Sequence, residues 1–247
     1  MLKSSIKYSI IWDTERWCNM NIKRRLSFVF EMAVIICCLI GILSNILNTS
    51  SVTSILSFYT MQSNLFVLTF YLLSIVISQF KSDWKKCDVY YFLKGATIMI
   101  ILLTFTIYLI SLYPTGFIMD ANVNTSSNIF SISNVFVHFI TPIMVFIDYL
   151  IFDDKGHFKL KYPFLWYIFP SLYLIYVYTY SSHGGKFFGS GGSRKYAYFF
   201  LDIDKIGVGG VIKYLILISL LFIAACYILI LIDNTLSKHK RRKPSNS

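Results

Sequence analysis

Residues 55–78 read Ile-Leu-Ser-Phe-Tyr-Thr-Met-Gln-Ser-Asn-Leu-Phe-Val-Leu-Thr-Phe-Tyr-Leu-Leu-Ser-Ile-Val-Ile-Ser, a run that carries no charge. It exceeds the roughly 20 residues a helix needs to cross about 30 Å of hydrocarbon. Five more predominantly apolar runs lie near 28–47, 90–113, 134–152, 164–180 and 211–232. Together they predict an all-α integral membrane protein, a bundle of six transmembrane helices over 28–233. A basic lead-in (1–27) and a basic tail (234–247) flank it. The composition agrees: 56% of the 247 residues are hydrophobic and only 14% charged, against about 25% charged in soluble domains.

The formal net charge is +11, which in a soluble chain would suggest nucleic acid. Its distribution points instead to topology. Of the 23 Lys and Arg, 17 fall in the amino-terminal segment, the 2–3 and 4–5 connections and the tail, all on one side of a six-span chain. Short loops rich in Lys and Arg stay in the cytoplasm, so both termini are expected there and no nucleic-acid partner is required. A cell-membrane location and the lipid bilayer as partner follow. Cys18, Cys37, Cys38, Cys87 and Cys226 have no metal-ligand spacing, and neither a metal nor another cofactor is expected. Asn48-Thr49-Ser50 and Asn124-Thr125-Ser126 fit the glycosylation pattern on the outer side.

Polar residues inside such runs need partners, because an unpaired hydroxyl or amide in hydrocarbon is costly. On one helix Ser57, Thr60 and Asn64 would share a face at i, i+3 and i+7, with Gln62 and Ser63 beside them. Asn134, His138, Thr141 and Asp148 recur on one face of the fourth run. Both runs enter from the outer side, so Thr60 and His138 lie at matching depth, Thr60 roughly 8 Å below the outer end of its helix. Thr60 as nucleophile and His138 as base are the candidate catalytic residues. Asn64, Gln62 or a tyrosine would donate to an oxyanion, and Ser57 would line the pocket. Asn134 or Asp202 could serve as a third member. Asp148 lies about 15 Å along the axis from His138, and pairing with Lys94 is its plain explanation. Pro142 cannot donate to the carbonyl of His138, so a kink is expected there; Pro170 should bend the fifth run. The glycine-rich stretch 181–210 reads as a flexible cover over the outer mouth. Tyr173, Tyr176, Tyr178 and Tyr180 read as an interface belt and pocket lining.

Six helices, a Thr opening the polar cluster of the second, a His followed by Pro in the fourth, and Tyr198-Phe199-Phe200-Leu201-Asp202 before the sixth resemble the androgen-induced membrane hydrolases. The likeness extends to their bacterial relatives, the Pr-six-Pr membrane proteins, which the Gln62-Ser63-Asn64 extension is similar to. The resemblance implies an intramembrane Thr–His pair, here Thr60 and His138, that hydrolyses fatty acyl esters, with Tyr198 to Asp202 as the loop motif. The chain departs from that motif at Phe199, where the family usually has Pro. Two other classes would use the same polar faces: a small-solute transporter, with Asp148 and Glu31 on a wet route to the cytoplasm, and a non-enzymatic membrane protein.

Overall fold

Long apolar runs in a bilayer satisfy their backbone groups internally, and the chain accordingly becomes helix almost throughout. A computed structural model describes residues 22–81, 83–112, 131–189 and 192–242. Its helices are α1 (Ile22–Leu47), α2 (Val52–Leu56), α3 (Tyr59–Phe80), α4 (Asp88–Ile107), α5 (Ile132–Phe152), α6 (Tyr162–Trp166), α7 (Ile168–Ser182) and α8 (Ile203–Arg242). One hairpin, β1 (Phe187–Gly189) with β2 (Gly192–Arg194), pairs Phe187 with Arg194. Among the described residues, α1, α3, α4, α5 and α8 are long and apolar enough to cross a membrane. Their outward residues are apolar: Phe80 is 88% exposed, Leu220 65% and Leu73 53%. Such a surface requires lipid around it, and the chain is an all-α, multi-pass membrane protein.

α1, α3, α4 and α5 pack on one another. Two glycines in these helices permit close approaches. A Cβ on Gly41 would lie 2.7 Å from Val137, and one on Gly95 would lie 2.1 Å from the Trp166 ring. The Trp166 indole cannot yield, since it is fully buried and donates to the Phe92 carbonyl at 2.9 Å.

The expected boundaries shift where local chemistry intervenes. α1 takes in Lys23, Arg24 and Arg25, so the described part of the basic lead-in is its first turn; residues 1–21, with Cys18, and Asn124 lie outside the described residues. The second run is not one helix. Ser57 ends α2, bonding the Thr53 carbonyl through Oγ and the Ser54 carbonyl through N–H, and Phe58 is extended. The Phe58 ring is held between Phe187 and Tyr198, at 5.4 and 5.9 Å, and this tertiary packing overrides continuation of the helix. Ser57 therefore does not share a helical face with Thr60 and Asn64. The fifth run is also divided. Pro170 cannot donate to Trp166, and the chain steps at Tyr167 between α6 and α7. In α5 the bend expected at Pro142 is a π-helical turn over Phe136–Ile140, closed by the Thr141 N–H on the Phe136 carbonyl. A second π turn, Tyr108–Leu112, ends the α4 span.

Residues 196–201 form no loose cover. Tyr196, Ala197, Tyr198, Phe200 and Leu201 are all buried, and Phe188 N–H donates to Ser54 Oγ at 2.7 Å.

At the opposite end, Asp233 of α8 fixes the turn after α5. Its carboxylate accepts from Tyr149 Oη (2.6 Å), Gly156 N–H (2.8 Å) and Phe158 N–H (2.9 Å), and it is buried. Asp233→Ala leaves these donors unpaired and should cost about 2–3 kcal/mol. Thermal unfolding in detergent checks this, and a change within about 0.5 kcal/mol, the range of ordinary surface substitutions, would refute it.

Candidate active site

Thr60 is the second residue of α3, and the break at Phe58 brings it to the end of a membrane helix. It lines a cleft together with Thr104 and Ile107 of α4, Tyr173 and Leu174 of α7, Tyr198 and Leu201 of the loop, and Leu215, Ile218, Ser219 and Phe222 of α8. Polar groups gather at the Thr60 end. Burial pushes the Tyr198 hydroxyl up to about 12, against hydrogen bonding with the Thr60 side chain and backbone and with Tyr173. At neutral pH that hydroxyl keeps its proton and can donate it in a hydrogen bond. Tyr173 also donates to the Ser57 carbonyl at 3.2 Å. Ser63 pairs with Thr104 at 2.8 Å and donates to the Thr60 carbonyl at 2.9 Å, tying α3 to α4 below the nucleophile candidate.

His138 lies on the π turn of α5 and is buried. Its ring stacks on Tyr108, centroids 3.9 Å apart and planes within 20°, so the two π turns face each other. The His138 Nδ1 and the Thr141 Oγ1 have no hydrogen-bond partner among the described residues. The helix faces expected to meet do so through Asn64, whose Nδ2 donates to the Thr60 carbonyl at 2.8 Å and to the Val137 carbonyl at 3.2 Å. Cys38 closes the same junction, its thiol donating to the Asn64 carbonyl at 3.1 Å. Thr60 and His138 thus occupy adjoining positions on two bridged helices. No hydrogen bond joins them among those of the described residues, and His138 is not part of the cleft wall.

The other candidates separate. Asn64 is a buried helix-to-helix bridge with its amide committed to carbonyls. Ser57 bonds Tyr176 Oη at 2.7 Å, behind the cleft. Gln62 is half-buried and is not in the cleft wall. Asn134 is buried one turn before His138, and its N–H is capped by Ser131 at 3.3 Å. Tyr178 donates to the Leu201 carbonyl at 3.1 Å and so supports the loop motif from outside. Asp202 accepts from the Lys205 N–H at 3.2 Å, and its carbonyl caps the start of α8, which is not the setting of a third catalytic member. Asp148 pairs with Lys94 and accepts from Tyr71 Oη at 2.8 Å, while Glu31 pairs with Lys85 and Ser27. Neither acid lines the cleft.

Three contributors were not singled out from sequence: Tyr108, Thr104 and Ser219. The first two carried a signal. Lys94, Thr97, Thr104 and Tyr108 fall at i, i+3, i+10 and i+14, a polar stripe along an otherwise apolar α4. Comparison of the chain with models of known families, with curated proteins and with solved structures finds no match in any of the three.

Proposed function

We propose that this chain is a cell-membrane hydrolase of fatty acyl esters, of the androgen-induced type that the sequence resembles, with Thr60 as nucleophile and His138 as base. In this reading α6 and α7 together supply a sixth span, and both termini are cytoplasmic by the positive-inside rule. The observation that carries the reading is the position of Thr60, a helix-end hydroxyl at the polar end of an apolar cleft, beside the Tyr198 and Tyr173 hydroxyls. Thr60 Oγ1 attacks the ester carbonyl carbon as its proton passes to the imidazole of His138, since an unassisted hydroxyl is a weak nucleophile. Tyr198 donates to the oxyanion. The alcohol leaves with the proton from the imidazolium, and water then releases the acid from the acyl-threonine. The proton transfer requires the ring and hydroxyl to approach, a tightening that commonly accompanies substrate binding.

The test is labelling of the detergent-purified chain by a fluorophosphonate probe. Wild type should label at Thr60, and Thr60→Ala of equal monodispersity should not. Wild type that neither labels nor cleaves lipid esters would refute the reading and favour a non-enzymatic role.

A further inference from the structure

The cleft has a composition unlike the rest of the chain. In a protein with 23 Lys and Arg and 12 Asp and Glu, none of the described residues lining it is Lys, Arg, His, Asp or Glu. Thr60, Tyr173 and Tyr198 stand at one end, and the rest of the lining is mostly apolar, its hydroxyls being those of Thr104, Ser171, Tyr167 and Ser219. α7 and α8 run in opposite directions, with the end of α7 and the start of α8 both joined to the loop that carries Tyr198. The lining residues Tyr173, Ser171 and Pro170 on α7 with Tyr167 just before it, and Leu215, Ile218, Ser219 and Phe222 on α8, therefore lie progressively further from Thr60. At the far end Tyr167 hydrogen-bonds Ser219, and its ring meets Phe222 at 5.8 Å. Phe222 is buried. These three side chains close the floor between the two helices.

We infer that the cleft takes one uncharged, single-chain lipid, with its polar group at the Thr60–Tyr198 end and its hydrocarbon chain between α7 and α8, and that Tyr167, Ser219 and Phe222 set the chain length. Only the placement of the polar group rests on the reading of Thr60 as the reacting hydroxyl. A carboxylate or phosphate drawn into the cleft would meet no compensating charge, whereas an uncharged ester or alcohol carries no charge to desolvate and can exchange hydrogen bonds with the Thr60 and Tyr198 hydroxyls. From Leu215 to Phe222 the wall rises roughly 10 Å. At about 1.2 Å per bond of an extended chain this accommodates about eight carbons.

The experiment uses the full chain in lipid nanodiscs and photoreactive alkyl-diazirine alcohols, with the matching carboxylic acids, about six to sixteen carbons long. Alcohols are uncharged and are not hydrolysed, so binding is read without turnover. Saturable labelling of α7 and α8 lining residues should peak near about eight carbons. The acid of that length should label at least about tenfold less well at neutral pH. Phe222→Ala should move the peak to longer chains and Phe222→Trp to shorter ones, so one folded variant suffices. Equal labelling by acid and alcohol, or a peak that stays in place in a folded Phe222 variant, would overturn the inference. Labelling as expected in a chain without esterase activity would uphold the lipid site and remove the catalytic reading. Thr60-dependent turnover with no cleft labelling would do the reverse.

Discussion

His138→Ala lowers ester turnover by about 10²–10⁴-fold, the range that a positioned general base contributes. The expectation follows from what the ring does and does not touch. A histidine retained for structure would spend its nitrogens on carbonyls or hydroxyls of neighbouring helices, yet the buried Nδ1 has no partner among the described residues. Its structural contribution is the stack on Tyr108, worth about 0.5–1.5 kcal/mol for such ring pairs. Losing the ring should therefore cost far more in rate than in stability. His138→Gln separates the two roles, because an amide can hydrogen-bond but cannot accept the proton. Turnover of a short-chain ester should fall by a similar factor in both variants, with thermal unfolding in detergent reporting the fold. A His138→Gln protein within threefold of wild-type kcat/KM would remove His138 from the chemistry.

Lys94→Met destabilises the protein by about 3–5 kcal/mol, the cost of leaving a buried charge without its partner. Lys94 is 0% exposed within the α4 span. Its ammonium pairs with Asp148, lies 3.2 Å from Asp153 and donates to Tyr71 Oη at 3.0 Å. Tyr90 Oη donates to Asp153 at 2.6 Å, so α3, α4 and the end of α5 meet on this one cation. Replacing the lysine strands two carboxylates in a low-dielectric interior. Lys94→Met combined with Asp148→Leu should be less damaging than Lys94→Met alone, because one of the two orphaned charges goes with the second change. Thermal unfolding of the two single variants and the double variant forms the required cycle. A strictly additive cycle would mean that the pair is not coupled.

The membrane-spanning character was legible because it depends on length and composition, which every residue of a run reports. Asp148 with Lys94 was legible as well, since two opposite charges in apolar runs leave few other arrangements. What escaped the sequence was decided by tertiary contacts. The 55–78 run looks continuous, and only the Phe58 ring, caught between Phe187 and Tyr198, explains why it breaks and why Ser57 leaves the Thr60 face. The stretch 181–210 looks like a mobile cover because its glycines are visible and its packing is not; Phe187, Tyr198 and Phe200 are core residues. Pro142 marked the place of a distortion in α5 but not its form, because a kink and a π turn both answer the loss of one N–H.

A π turn is a helix holding one residue more than its length requires. α4 and α5 each hold such a surplus, at the same level and joined through the Tyr108–His138 stack. One extra residue advances the direction of every side chain beyond it by about 100°, so the register of α5 before Phe136 is offset from that after Ile140, and His138 sits where the two meet.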